Sequence, residues 1–271
     1  MAAVAGAATA GTASELLCWA LVSAPPQQQR RVLAANPPEL VVHDAPSPCP
    51  YLPDQISRLP LRLPIRRLQR AELEHRLATG DRRQGLMLYR TACPTCVACE
   101  PIRIDVQEFV PGRTQRRIER LGDREIETEI GPLEPTLEKV ALYNKHKRGR
   151  GLSSGERSID FDGYTAFLGE SCCDSFELRY RVDGRLIGVA VVDRAEASLS
   201  AVYFYFDPDH EPRSPGVYSV LKQLQLCRRW GLRYLYLGLY IADCPSMAYK
   251  RLYLPHERLL DGEWRTFDRE T

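Results

Sequence analysis

Three cysteines lie within seven positions of the stretch YRTACPTCVACEPIRI: Cys93, Cys96 and Cys99. Two residues between successive cysteines bring their sulfurs close enough to bind one ion, as in zinc knuckles and iron–sulfur sites. Cys49, on a proline-stiffened turn in SPCPYLPD, is the candidate for a fourth thiolate. The pattern predicts a metal site but leaves zinc and iron–sulfur open, because both accept four thiolates. Scattered structural or redox-active thiols are the alternative.

The chain has nine cysteines in all, and its start lacks the basic segment and uninterrupted apolar run of an export signal. We therefore expect no disulfide framework and a cytoplasmic protein. The adjacent Cys172 and Cys173 are interpreted as small buried hydrophobic residues, and Cys227 as part of the apolar face of a helix. Without a positioned base, Cys244 is not interpreted as a nucleophile.

Composition sets only broad limits on the function. The 271 residues suffice for one large domain or two of moderate size, and 27% of them are charged, as in an ordinary globular protein. The net charge of +2 does not by itself demand a nucleic-acid partner. No run approaches the ~18 apolar residues of a membrane span, so no membrane association is expected.

Basic side chains are nevertheless concentrated in two segments. The first comprises Arg113, Arg116, Arg117 and Arg120, and the second comprises Lys145, Lys147, Arg148 and Arg150. At helical spacing the four arginines of the first segment share one face, a pattern that suits a phosphate backbone. The alternative is a solvated face whose arginines pair with Glu119 and Glu125.

The elements that must position these residues follow from the hydrophobic pattern. GLMLYR and PIRIDVQEF read as strands, so the cysteines lie on a strand–loop–strand element. From about residue 135 the order helix, helix, hairpin, strand, helix, strand predicts an α+β unit on a mostly antiparallel sheet. The stop at FDPD, the turn RSPG and the helix that follows resemble the core of an acetyltransferase-like (GNAT) fold. In that fold the acyl carrier lies where two strands separate, at the N-terminus of this helix.

Five sequence blocks resemble the bacterial aminoacyl-tRNA–protein transferases, relatives of the arginyl-tRNA–protein transferases of the N-degron pathway. They are CPYLPD, YRTACPTCVACEPIRIDVQEFVPGRTQRR, AVYFYFDPD, RSPGVYSVLKQLQ and YLYLGLYIADCPSMAYKRLYLPHERL. The resemblance implies that an amino acid moves from the ester at a tRNA 3′ end to the α-amine of a protein that begins with Asp or Glu. The added residue would mark that protein for degradation, and no nucleotide cofactor is expected.

The resemblance also implies a division of the chain. Residues 45–110 would be a small cysteine-rich N-terminal module that holds the metal or cluster. The composition of residues 1–44, rich in Ala and Pro, predicts a flexible leader before it. Residues 111–271 would form the acetyltransferase-like catalytic domain.

Candidate site residues follow from the chemistry that this reaction needs. An aminoacyl ester is already activated, so the protein must position it, accept a proton and stabilise an oxyanion. Asp207, at the end of FDPD, is the candidate proton-handling or amine-orienting carboxylate. Tyr218 and Ser219, at the start of the helix, are candidates to contact the terminal adenosine or the ester. The resemblance adds the candidate substrate-binding cations: Arg113, Arg116, Arg117 and Lys250 match basic positions of the family, and Arg213 belongs to the RSPG turn.

The sequence leaves the donor amino acid open between leucine and arginine. Thr91 replaces a proline that is usual in the family, and Leu239 and Tyr240 replace an aromatic pair. The short N-terminal module with its triple cysteine favours the leucyl-transferring branch. The alternative function is a metal-containing tRNA- or RNA-binding protein with an inactive acetyltransferase-like domain. An acetyl-CoA-dependent acetyltransferase is disfavoured because RSPGVY only partly matches a pyrophosphate loop.

Overall fold

The computed structural model describes residues 31–152 and 158–268, which form a large sheet, a small sheet and a hairpin. The strands are β1 (Val32–Leu33), β2 (Glu39–His43), β3 (Pro46–Pro48), β4 (Ile56–Arg58), β5 (Leu61–Pro64), β6 (Arg82–Gln84), β7 (Met87–Tyr89), β8 (Glu100–Asp105), β9 (Glu127–Pro132), β10 (Ser175–Val182), β11 (Arg185–Arg194), β12 (Ser198–Phe206), β13 (Tyr234–Tyr240), β14 (His256–Leu260) and β15 (Glu263–Phe267). The helices are α1 (Arg70–Ala78), α2 (Arg113–Glu125), α3 (Leu137–Gly149), α4 (Phe161–Tyr164), α5 (Pro215–Arg229) and α6 (Pro245–Ala248). Short turns of π-helix (Thr165–Gly169) and 3₁₀-helix (Pro208–Arg213 and Tyr249–Leu252) complete the described elements.

The large sheet has eight strands in the order β15-β14-β8-β13-β12-β11-β10-β9. Neighbouring strands are antiparallel except for β12 and β13, which are parallel. Two connections explain this order: the β10–β11 hairpin turns tightly, whereas α5 carries the chain from β12 to β13. The predicted α+β class is confirmed, and the helices and strands after residue 135 follow the predicted order.

Both faces of the large sheet are covered by helices. Successive residues of β11 alternate between two hydrophobic clusters, with Ala190 and Val192 in one and Val189 and Val191 in the other. α5 covers the first face because its apolar residues recur at helical spacing. Its buried residues include Val220, Leu221, Leu224 and Cys227. α3 covers the second face, where Tyr143 packs against Tyr205 with 5.5 Å between ring centroids.

The small sheet has the order β1-β2-β5-β7-β6 and lies beside α1. The sequence predicts a flexible leader up to residue 44, but residues 32–43 supply two strands of this sheet. The physical reason is Glu39, which is fully buried and held by ion pairs to Arg62 and Arg76 at 2.9 and 2.7 Å. Residues 1–30 of the predicted leader lie outside the described residues.

The two halves of the chain share the large sheet. β8 belongs to the cysteine module in the sequence-based division, yet it pairs with β13 on one side and β14 on the other. Its Ile102 and Ile104 are fully buried in the same cluster as the apolar face of α5. The cysteine loop before β8 is therefore attached directly to the large sheet.

Within residues 31–152 and 158–268, no helix combines the length and the apolar character needed to cross a membrane.

Candidate active site

β12 and β13 are paired only at their starts, from Ser198 with Tyr234 to Ser200 with Tyr236. Just beyond this point β12 has a bulge, because Val192 pairs with Ala201 and Val191 with Tyr203. β13 is irregular at the same level, between Tyr236 and Leu239, where Gly238 has a φ of +80°. Bulges bend a strand and increase its local twist, so the parallel pairing ends here and the strands separate.

A cavity of about 200 Å³ lies at this separation. One side is formed by the separated strands, through Ala201, Val202, Tyr203, Leu237, Gly238 and Leu239. Another side is formed by the cysteine-bearing region, through Cys49, Tyr51, Cys93 and Cys99. The cavity is therefore built from both halves of the chain.

The charged side chains that line the cavity are Arg83 and Lys250. Arg83 donates to both carboxylate oxygens of Asp193, at 2.7 and 2.8 Å. Lys250 donates instead to two neutral groups, the carbonyl oxygen of Leu239 at 2.5 Å and the sulfur of Met247 at 3.1 Å. The predicted substrate-binding residue Lys250 thus lies at the cavity, and among the described residues it has no acidic partner.

Burial, with a smaller contribution from Arg82, lowers the pKa of Lys250 to about 7. Arg82 is itself buried and donates to the carbonyl oxygens of Asp81 and Gly238, at 2.6 and 2.9 Å. Its Nε atom has no hydrogen-bond partner within the described part of the chain. Positive charge is therefore concentrated behind the Lys250 side of the cavity.

Asp207 lies at the end of β12 and is absent from the described cavity lining. Its carboxylate forms an ion pair with Lys145 at 2.7 Å and accepts the backbone N–H of Asp209 at 3.0 Å. Burial raises the pKa of Asp207, but the bonds from Lys145 and Asp209 outweigh it and leave the pKa below its ordinary value. In this position Asp207 caps the turn Pro208–Arg213 and is a poor proton acceptor.

Tyr218 and Ser219 lie in the core, each 1% exposed. The Tyr218 hydroxyl donates to Asp123 at 3.0 Å, and its ring packs so closely on Gly122 that a Cβ there would lie 2.3 Å away. The Ser219 hydroxyl accepts hydrogen bonds from Tyr180 and from a glutamine of its own helix. These contacts join α2 to α5 and α5 to the sheet, and the described cavity lining includes neither residue.

The basic face predicted on α2 is helical and exposed. Arg113, Arg116 and Arg117 are solvent-exposed and form no ion pair with any described carboxylate. Their expected neutralising partners contact other residues. Glu119 accepts a hydrogen bond from Gln225 at 2.7 Å, and Glu125 forms an ion pair with Arg213 at 2.8 Å. The candidate Arg213 is therefore engaged by α2 itself, whereas the three arginines present uncompensated charge to solvent.

The cysteine loop between β7 and β8 lies against the β3–β4 hairpin, which carries Cys49. The backbone N–H of Ala92 donates to the carbonyl oxygen of Arg58 at 2.9 Å, and that of Cys49 to Gln55 at 2.8 Å. The first bond holds the two thiol-bearing segments side by side, as the predicted four-cysteine site requires, and the second closes the turn that carries Cys49.

The thiols influence one another electrostatically. Burial, followed by the neighbouring Cys93, Cys49 and Cys96, raises the pKa of the Cys99 thiol to about 12, and Cys244 adds to the effect. Among the described residues, no three His, Cys, Asp or Glu side chains lie close enough together to hold one ion. The four-thiol metal site accordingly stays a prediction. The buried positions of Cys172, Cys173 and Cys227 are confirmed.

Sequence reasoning missed Arg82, Arg83 and Tyr51 at this site. Two adjacent arginines in GDRRQG resemble an exposed charge run, so their burial gave no local signal. Tyr51 lies inside CPYLPD, a block that the sequence does single out, and this was the available indication.

Two family models match the chain. Residues 47–117 match "Arginine-tRNA-protein transferase, N terminus", and residues 138–260 match "Arginine-tRNA-protein transferase, C terminus". An aspartate/glutamate leucyltransferase of Chromobacterium violaceum is 39% identical over 222 residues, which cover 82% of this chain and 91% of the relative. One of Aeromonas hydrophila is 40% identical over 220 residues, covering 81% and 92%.

The PaiA N-acetyltransferase of Thermoplasma acidophilum is similar with a TM-score of 0.32 and 15% identity, over 40% of this chain and 74% of that one. The C-terminal domain of a putative lysylphosphatidylglycerol synthetase from Agrobacterium fabrum reaches a TM-score of 0.42 with 16% identity, over 53% and 47%. These structural likenesses are too weak to carry an argument about substrate. The sequence relationships are strong enough to assign the family. The chain belongs to the arginine-tRNA-protein transferase family and is an aminoacyltransferase.

Proposed function

We propose that this chain transfers leucine from leucyl-tRNA to the α-amine of proteins whose first residue is Asp or Glu. The name of its relatives, aspartate/glutamate leucyltransferase, supports both the donor and the acceptors. One structural observation carries the location of the reaction. A cavity lies where β12 and β13 separate and is bordered by the cysteine-bearing region, so both matched halves of the chain contribute to it.

The reaction exchanges an ester for a peptide bond. The acceptor amine attacks the leucyl carbonyl carbon, the bond to the ribose oxygen breaks, and the amine loses a proton while the ribose oxygen gains one. Because the ester is already activated, positioning and charge stabilisation suffice, and no covalent nucleophile is required. Beyond Ser200 and Tyr236 the facing strand edges no longer pair, which leaves backbone polar groups there to bind an extended substrate.

We assign tRNA binding to the basic face of α2. Its three arginines are exposed without acidic partners, as contacts to a phosphate backbone require. One hydrogen bond joins this helix to the turn that carries Lys250. The Gln115 side chain donates to the carbonyl oxygen of Leu252 at 3.4 Å, and Leu252 lies two residues after Lys250. We propose that a tRNA bound to α2 places its 3′ end at the cavity.

We further propose that Cys49, Cys93, Cys96 and Cys99 bind zinc or an iron–sulfur cluster. The donor chemistry fits, since four soft thiols on two adjoining segments surround one region, although they would have to draw closer to share an ion. A bound metal would cross-link the β3–β4 hairpin to the cysteine loop and so stiffen one wall of the cavity. The transfer chemistry does not pass through it.

We place the reaction in the cytoplasm, as the sequence predicts, because charged tRNA is its donor. Leucine added in this way would mark the acceptor for degradation.

The test is a transfer assay with purified protein, labelled leucyl- or arginyl-tRNA, and peptides that begin with Asp, Glu or Ala. We expect leucine on the Asp and Glu peptides and none on the Ala peptide. Transfer of arginine in preference to leucine would overturn the donor assignment. Binding of tRNA without transfer from either donor would support an inactive RNA-binding protein instead.

A further inference from the structure

Lys250 is a buried ammonium group on the cavity wall. The residue is 7% exposed, and within the described residues its Nζ atom bonds to a backbone carbonyl oxygen and a thioether sulfur, both neutral. An ammonium group has three N–H donors, so one of them has no acceptor among the described residues. The protonated form of Lys250 therefore has both a charge without a counter-ion and a donor without a partner.

The rest of the cavity does not neutralise this charge. None of the described residues that line it is Asp or Glu. The other lining cation, Arg83, is already neutralised by Asp193. Arg82 adds a second positive charge close to Lys250 and bonds to no carboxylate in the part of the chain that the structure describes. Burying a charge without a counter-ion is costly, so this cavity favours a ligand that brings a carboxylate.

We propose that Lys250 recognises the acidic side chain of the acceptor by forming an ion pair with the carboxylate of its first residue. This inference rests on the proposed function, which supplies an acceptor that begins with Asp or Glu. In the first residue the α-amine and the side-chain carboxylate are separated by only a few bonds. A carboxylate at Lys250 therefore keeps the amine in the cavity, next to the separated strands on which the ester would lie.

Two other roles compete for the same ammonium group. Lys250 could neutralise the thiols, because Cys244 and Cys99 lie close enough to affect its pKa. It could also bind a phosphate of the tRNA end, since Leu252 of the same turn contacts α2. Only the acceptor role makes the effect of Lys250 on kcat/KM depend on the charge of the peptide's first side chain.

The experiment compares kcat/KM for peptide pairs that differ only in that charge, Asp against Asn and Glu against Gln, at saturating leucyl-tRNA. We expect the unsubstituted protein to prefer Asp over Asn by about 100-fold or more, the range for a charge pair in a buried site. In Lys250→Met the Asp value should fall to near the Asn value, while the Asn value stays within about threefold. Lys250→Gln, which keeps a donor for the Leu239 carbonyl, should behave in the same way.

The matched control is Lys222→Met, because Lys222 lies on α5 and pairs with Asp123 at 3.1 Å. It should keep the full Asp preference. Each ratio is measured within one preparation, so partial unfolding of a variant cancels. If the neutral peptides react too slowly, dissociation constants of the same peptides from calorimetry give the ratio.

Three results would overturn the inference. An equal fall on Asp and Asn peptides in Lys250→Met would assign Lys250 to the tRNA or to the chemistry itself. An unchanged Asp preference together with lost metal would make it a counter-ion of the thiols. No transfer by the unsubstituted protein to any peptide would overturn the proposed function as well, whereas the first two results leave that function intact.

Discussion

Arg83 of β6 and Asp193 of β11 form a two-point ion pair that joins the five-stranded sheet to the eight-stranded sheet. Their side chains are 2% and 1% exposed, and Ser175 also donates to the Asp193 carboxylate at 2.5 Å. The pair lies beside the cavity, because Arg83 lines it. The two halves of the chain are thus fixed to each other at the point where they form the site.

Removal of one member of this pair should be strongly destabilising. In Arg83→Met the Asp193 carboxylate would stay buried without its counter-ion, and we expect the free energy of unfolding to fall by about 3–5 kcal/mol. Arg70→Met is the matched control, because Arg70 and Asp174 form an exposed pair at 2.6 Å and should contribute about 1 kcal/mol or less. Urea unfolding measures both values, and equal losses would contradict the prediction.

Substitution of the α2 arginines should weaken tRNA binding without affecting the acceptor. In the triple variant Arg113→Ala, Arg116→Ala, Arg117→Ala, the KM for leucyl-tRNA should rise and the KM for the Asp peptide should stay constant. The slope of log binding constant against log salt should decrease by about 2–3, since each lost phosphate contact removes about 0.7–0.9.

The control replaces three exposed arginines outside α2, namely Arg185, Arg229 and Arg265. It should leave the salt slope unchanged. A similar loss of tRNA affinity in this control would mean that total charge, rather than the α2 face, binds the nucleic acid.

The four predicted thiols should bind a metal as a set. Protein purified without oxygen should contain about one zinc ion or one iron–sulfur chromophore per chain, and Cys49→Ser or Cys93→Ser should lose it. Cys244→Ser is the informative control, because Cys244 affects the pKa of Cys99 but is not in the predicted set. Loss of metal in Cys244→Ser, with retention in Cys49→Ser, would identify Cys244 instead of Cys49 as the fourth ligand.

His146 should make the protein less stable as the pH falls. Burial lowers the pKa of His146 to about 4, while its ring contacts the Phe206 carbonyl oxygen at 3.0 Å. The charged groups facing it, Arg150 and Lys147, lower the pKa further. The unfolded chain binds the proton near pH 6.5 and the folded chain near pH 4. The contribution of the neutral His146 to the free energy of unfolding is therefore fully present above pH 6.5. It is lost as the pH falls toward 4.

At pH 5 this difference corresponds to a loss of about 2 kcal/mol relative to pH 7.5. Urea unfolding at the two pH values should show that loss in the unsubstituted protein and in His75→Gln, whose histidine is exposed on α1. In His146→Gln the loss should be smaller by about 2 kcal/mol, because the buried His256, whose pKa burial also lowers, keeps its own contribution. The same pH dependence in His146→Gln would assign it to other groups.

The sequence predicts well those features that depend on local patterns. The apolar spacing of α5 places Cys227 in the core, where it is fully buried. The cysteine loop and Lys250 were found from their sequence blocks, and the cavity brings them together. In each case the signal is contained within a few neighbouring residues.

The features that sequence reasoning misplaced depend on distant partners. Tyr218 begins α5 as predicted, but its ring turns toward α2 because Gly122 leaves room for it. Asp207 is occupied by Lys145, a residue 62 positions away. Arg83 is buried because Asp193, 110 positions away, neutralises it. Such pairings are set by tertiary packing, which no local pattern encodes.

The position of β8 has a consequence for protein synthesis. β8 pairs with β14, and Arg258 reaches back to Glu100 in an ion pair of 2.9 Å across 158 positions. A growing chain cannot close this edge of the sheet until the segment around residue 258 has left the ribosome. Nascent copies, and copies terminated before β14, therefore lack the strand that pairs with β8 on one side.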